Sequence, residues 1–269
     1  MTDSYAKLEL LLETPGITEG SIHELFESNS ELLPLPDLLN HDLHFNCVFT
    51  QFEIDRDKIA DFAFITKSSG EWRVVFVELE RPQKELFVST PYFDFHSDTR
   101  RAIAQVESWR TMTKARPEEV RRKFRHLIML GRDWDTNPVE FRFLLIIGRN
   151  KSGRFPAEAA GRVSRLGSES DIRLITYDTI LRAKAAWRLG SRKNILAHHR
   201  GGFRIKSAQA DTNLFAHYHK DQIEVADAEL QWFRDRGYDM DAWLKGELLT
   251  VNGKMPMSRS REVFAGKVT

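Results

Sequence analysis

Residues 72–80, WRVVFVELE, constrain the fold of this chain more than any other stretch. Val74, Val75, Phe76 and Val77 leave no polar face, the pattern of a strand buried on both sides in the middle of a sheet. An earlier run, IADFAFIT, is separated from it by KSSG, and two strand-like runs across such a turn predict a hairpin. With the loop placed at residues 68–71, Lys67 faces Trp72, and counting down the ladder sets Asp61 opposite Glu78. Glu80 shares the face of Glu78 because side chains alternate along a strand. Three carboxylates thus converge where the buried strand ends. A register slip of one residue would turn Asp61 away.

Like charges in such a position repel. The cluster therefore needs protonation, pairing with Arg81, Arg56 or Lys58, or a cation from outside the chain. A hard divalent ion takes oxygen ligands and suits carboxylates so placed. The cation is the favoured solution, because the acids gather at a strand end rather than spread along it. Held by two or three carboxylates with open positions, such an ion can activate water and stabilise a phosphoryl group under attack.

A helix is predicted over residues 98–114, DTRRAIAQVESWRTMTK. Ala102, Gln105 and Trp109 fall at i, i+3 and i+7, which places Gln105 on a stripe expected to pack inward. A buried amide needs partners for both its ends. Gln105 either bonds the backbone of the sheet or reaches the carboxylates, and both readings stand at this point.

The remaining pattern is mixed. SIHELFESNSELL reads as a first helix, capped by Thr18 or Ser21 and ended by PLP. LHFNCVFTQFEI alternates as a half-buried strand, and residues 81–97 form a long loop. PEEVRRKF is helical, FRFLLIIGR is a buried strand, PAEAAGRVSRLGS is a helix, IRLITYD is a strand and DTILRAKAAWRLG is a helix. Past residue 190 the pattern weakens, although DQIEVADAELQWFRDRG reads as an amphipathic helix and the final ~15 residues as mobile. An α/β fold follows, with a mixed sheet and helices on its faces. It divides into a domain over 1–190 and a basic, mainly helical extension over 191–269.

Composition narrows the classes. With 41% apolar and 29% charged residues in 269, the chain has the make-up of an ordinary globular protein. No run approaches the ~18 apolar residues that span a bilayer, and the N-terminus lacks a signal-peptide pattern, so a cytoplasmic protein is expected. Cys47 is the single cysteine, which excludes an internal disulfide and a zinc site built on several thiolates. The net charge of +1 is uninformative, but residues 179–210 carry eight Lys or Arg and no acid, while 211–249 carry nine acids against four bases. The basic block either tracks a phosphate backbone or pairs with the acidic segment after it. His198, His199, His217 and His219 lack neighbouring carboxylates at ligand spacing and are read as ordinary surface histidines. His96 is read as a loop residue ahead of the glutamine helix, and Trp232 and Phe233 as packing residues of the late helix.

The order of Asp61, a hairpin, Glu78-Leu79-Glu80, then Gln105 with Trp109 four residues on, resembles the PD-(D/E)xK nuclease superfamily. More narrowly it is similar to the nuclease domain of the Shedu anti-phage defence proteins. ADFAFI, WRVVFVELERP, KELF, RRAIAQVESWR, FLLIIGR, IRLITYDTIL and the opening SIHELFESNSELL carry the likeness, over roughly residues 18–185. The resemblance implies an α/β/α sandwich around a central mixed sheet, and a metal-dependent endonuclease acting on DNA with Mg²⁺, for which Mn²⁺ can substitute. It implies Asp61 and Glu78 as metal ligands, the Leu79 carbonyl as a third, and Gln105 assisting the site. Trp109 stands where the superfamily's glutamine element has tyrosine. Ala60 replaces the motif's proline, which supplies no chemistry. Glu80 replaces its lysine, and a glutamate can take a proton from water or bind a second metal but cannot supply positive charge. Lys84, in the following loop, is better placed for that charge than Arg81, which points to the opposite face of a regular strand. Two other readings stay open: a nuclease-shaped DNA-binding module without catalysis, and a sensor or assembly subunit that self-associates through its late helix.

Overall fold

The apolar run at residues 72–80 does lie inside a sheet. The computed structural model describes residues 3–88, 92–128, 137–183, 191–200, 202–250 and 254–264. Its strands are β1 (Leu43–Asp55), β2 (Lys58–Lys67), β3 (Trp72–Leu79), β4 (Val139–Ile146), β5 (Ile172–Ile175), β6 (Asn194–His199), β7 (Gly202–Ser207) and β8 (Ile223–Val225). They form one mixed sheet in the order β5-β4-β3-β2-β1-β6-β7-β8. The hairpins β1–β2, β2–β3 and β6–β7 are antiparallel, whereas β3–β4, β4–β5, β1–β6 and β7–β8 are parallel.

Alternate residues of β3 feed two separate cores, as a strand with no polar face must. Val75, Val77 and Leu79 join Phe62, Phe64, Leu144 and Ile146 beneath α1 (Ser4–Leu12), α2 (Glu19–Ser28) and α7 (Tyr177–Ala183), through Leu8, Ile22, Phe26 and Tyr177. Val74 and Phe76 join the opposite core, beneath α3 (Ser97–Ala115), α4 (Pro117–Lys123), α5 (Arg125–Ile128) and α6 (Ala157–Ser170). There Phe52 and Phe124 stack at 4.3 Å. Each fully buried aromatic of this kind contributes about 1.5–3 kcal/mol of apolar burial. The result is an α/β/α sandwich, the architecture that the mixed pattern and the resemblance both imply. No helix of the described residues is long and apolar enough to cross a membrane.

The helices expected at the C-terminus are present, and β6, β7 and β8 precede them and continue the same sheet past residue 190. Ile223 and Val225 alternate as β8 beside β7, so the long amphipathic helix is shorter and starts only at Asp227, as α8 (Asp227–Arg234). With α9 (Met240–Leu244) it brings Phe233 and Trp243 against Phe215. The chain end, expected to be mobile, carries α10 (Met257–Phe264), while residues 265–269 lie outside the described part, as do residues 184–190 of the helix expected after β5. Cations of the basic block find partners outside the acidic segment that follows it. Lys206 pairs with Glu27 and Arg192 with Glu31, both ahead of β1, and Lys193 is buried with its ammonium on the carbonyls of Ser30 and Leu33.

Candidate functional site

The β2–β3 hairpin closes as its turn chemistry predicts. Ser68 N–H donates to the Glu71 carbonyl at 2.9 Å, and its hydroxyl accepts from the amides of Gly70 and Glu71. Pairing runs from Lys67 with Trp72 to Phe62 with Val77, so the next step of the ladder brings Asp61 beside Glu78. The Leu79 amide donates to Asp61 Oδ2 at 2.7 Å, which ties the aspartate to the end of β3. On its other side Asp61 Oδ1 accepts from Gln51 Nε2 at 3.2 Å.

Glu78 and Glu80 are buried, 7% and 6% exposed, so neither is solvated as a surface carboxylate would be. Glu78 Oε1 accepts from Gln105 Nε2 at 2.5 Å. Here the inward stripe of α3 is Ala102, Ile103, Val106 and Trp109, and Gln105 lies at its margin, exposed, with its amide on the carboxylate. The expected core position is thus corrected, because Val106 and Trp109, at i+4 and i+7 from Ala102, fill the face against the sheet together with Ile103. Glu80 is ion-paired with Lys84, in the loop after the strand. Tyr177, buried on α7, donates its hydroxyl to the Glu80 carbonyl at 2.6 Å.

Glu19, which sequence reasoning missed, joins this group from the first turn of α2. Its carboxylate is 3.5 Å from Lys84 Nζ and 3.8 Å from Arg81 Nε. An acid at a helix N-terminus is already favoured by the helix dipole, so its presence in the sequence carries no separate signal. Four carboxylates, Glu19, Asp61, Glu78 and Glu80, therefore gather at the end of the central strand β3 with Lys84 and Arg81.

The charge imbalance is large enough to perturb the acids. Burial, then the charges of Asp61, Glu80 and Glu19, push the Glu78 carboxyl up to about 9, although the Gln105 bond opposes this. Asp61 is also raised, chiefly by burial, and so is Glu80, whose rise the Lys84 ammonium partly offsets. Hard oxygen donors crowded in this way have the chemistry that suits a divalent cation. Among the described residues no three His, Cys, Asp or Glu side chains are gathered into a ready cage. The Lys84 ammonium occupies the Glu80 carboxylate.

The loop bearing Lys84 rests on a glycine. Gly148, just beyond β4, has φ +64°, and a Cβ there would lie 2.7 Å from the Lys84 carbonyl and 3.1 Å from Leu86 Cγ. Gly148→Ala is expected to push residues 84–86 off the strand end and lower the melting temperature by several degrees, as a thermal melt would show. An unchanged melting temperature would mean that the loop does not depend on this approach.

The other signals settle into structural roles. His96 caps α3, accepting from the Asp98 amide, and sits near Glu85 and Asp98. His198 packs edge-on to Phe52, His199 pairs with Glu224 at 2.7 Å, and His217 lies against Phe45. Asp61, Glu78, Glu80 and Gln105 are thus brought to one place, with Leu79 between them.

A family model described as Shedu protein SduA, C-terminal, matches residues 17–181, more than half of the chain. The chain belongs to the Shedu family. No curated protein matches it at a significant level. The Shedu match begins just before α2 and ends within α7. It therefore takes in Glu19 and every residue of the carboxylate cluster, whereas β6–β8 and the late helices lie beyond the matched Shedu segment.

Proposed function

We propose that this Shedu-family chain is a divalent-cation-dependent DNA endonuclease of the PD-(D/E)xK type, acting in the cytoplasm in anti-phage defence. The observation that carries the reading is the placement of Asp61 beside Glu78 at the end of a buried hairpin, where Glu78 is pushed up to about 9 by burial and neighbouring acids. Asp61 and Glu78, with the Leu79 carbonyl, are the proposed ligands for Mg²⁺ or Mn²⁺. When bound, such a cation would supply Lewis acidity to water and to the phosphoryl oxygens.

The chain's own groups divide the remaining work. Gln105 fixes the orientation of Glu78 through its 2.5 Å bond. Glu80, with its raised pKa, is suited to take a proton from the attacking water. Lys84 offsets charge on the phosphate, the role a lysine in place of Glu80 would have. Water's oxygen bonds to phosphorus, the bond to one sugar oxygen breaks, and that oxygen leaves after taking up a proton. Glu80 in place of the motif lysine favours a second reading, a DNA-binding module that does not cut.

Incubation with supercoiled plasmid decides between them. Nicked or linear product is expected with Mg²⁺ or Mn²⁺ and none with a chelator. Lys84→Met should slow cleavage by ~10²–10³-fold. Salt-sensitive DNA binding with no product under either metal would contradict the nuclease reading and support the binding module.

A further inference from the structure

Gln51 combines a strained backbone with a bond to the proposed ligand Asp61. It lies within β1, between Thr50 paired with Phe62 and Phe52 paired with Ala60, so it stands across the ladder from Asp61. Its φ is +46°, in the left-handed region that a glutamine rarely adopts inside a strand. The usual alternation of side chains breaks at the same place. Phe49 and Phe52, three residues apart, both enter the core beneath α3, while the consecutive residues Thr50 and Gln51 both reach the ring of His23 on α2.

No burial of its side chain compensates this conformation, because Gln51 is exposed. The turned backbone brings its amide to Asp61, with Nε2 donating to Oδ1 at 3.2 Å. The Leu79 amide holds Oδ2 at 2.7 Å from the far side, so each carboxylate oxygen has one donor and a fixed plane. His23 backs the arrangement. Its ring stacks on Phe62 at 4.6 Å, and its Nε2 lies 3.3 Å from the Asp61 carbonyl, 3.1 Å from Thr50 Oγ1 and 3.3 Å from Gln51 Nε2. Strain of this kind persists where the surroundings over-determine it, and it gathers at functional sites.

We infer that Gln51 is a positioning residue: its strained backbone holds the amide that orients Asp61 for a divalent cation, so folding stability is given up for cation affinity. The inference rests on the cation site proposed above. Partners behind metal ligands typically change affinity by ~10–100-fold when removed.

The test compares Gln51→Gly, Gln51→Ala and Asp61→Asn with wild type in the full chain, with free Mn²⁺ followed by electron paramagnetic resonance and metal-free melting temperature measured alongside. Both Gln51 variants should bind Mn²⁺ at least ~10-fold more weakly. Only Gln51→Gly, which accepts the positive φ freely, should melt above wild type. Mn²⁺ affinities within twofold of wild type in both variants would overturn the inference, and so would a glycine variant that melts lower. If Asp61→Asn loses Mn²⁺ while both Gln51 variants keep it, the role of Gln51 fails alone. If wild type binds no Mn²⁺, the cation site fails and this inference falls with it.

Discussion

Asp61→Ala and Asp61→Asn are both expected to reduce plasmid cleavage by at least ~10³-fold while leaving the fold intact. A ligand that helps hold a Lewis-acidic ion supports several kcal/mol of transition-state stabilisation, and each 1.36 kcal/mol is tenfold in rate. The asparagine keeps an acceptor for the Leu79 amide, whose 2.7 Å bond would otherwise be lost from the end of β3. It also removes a negative charge that raises the Glu78 pKa. The melting temperature of Asp61→Asn at pH 8 should therefore equal or exceed that of wild type. Circular dichroism melts and a gel assay read the two halves separately. Cleavage at the wild-type rate in a folded variant would remove Asp61 from the site.

Glu78→Gln should change how stability depends on pH. Its folded-state carboxyl is pushed up to about 9 from an ordinary 4.5, first by burial and then by Asp61 and Glu80. For a group whose folded pKa is raised, the folded state binds the proton more tightly. The associated stability is full below the ordinary value and is lost as pH rises through the folded one. The metal-free wild type should thus lose stability between pH ~4.5 and ~9, by up to ~1.4 kcal/mol per unit for one proton. At about 2–4 °C per kcal/mol this is a fall of up to ~8–16 °C between pH 5 and 8. Glu78→Gln removes this titration and should make that part of the profile less steep, leaving the raised Asp61 and Glu80. Mg²⁺ added to wild type should flatten it too, since bound cation replaces the proton. Identical profiles for wild type and variant in chelator would mean that Glu78 is not held as the geometry requires.

Much of the site could be read from local rules. The turn at residues 68–71 and the apolar run after it determine the register of β2 against β3, and that register alone brings Asp61 to Glu78. Lys84 was legible as the nearest cation on the correct side of the strand. Gln105 was only half legible. Helical spacing from Ala102 to Trp109 suggested the core, but Ile103 and Val106 complete the inward face and free the amide for Glu78. Glu19 and Gln51 were not legible at all. One is an ordinary helix-initial acid whose approach to Lys84 depends on how α2 packs, and the other depends on a backbone angle that no side-chain pattern encodes. The strands past residue 190 were missed because they are short and their residues mix charge with apolar alternation. NILAHH and GFRIKS read as a basic stretch until β1 offers β6 a parallel partner.

The central claim is that the carboxylates at the end of β3 are a cation site. Calorimetric titration of Mn²⁺ into the full chain tests it most directly, with wild type, Asp61→Asn and Glu78→Gln measured in the same buffer. Saturable heat in wild type that disappears in both variants is the predicted result. Equal heats in all three proteins, or none in wild type, would contradict it.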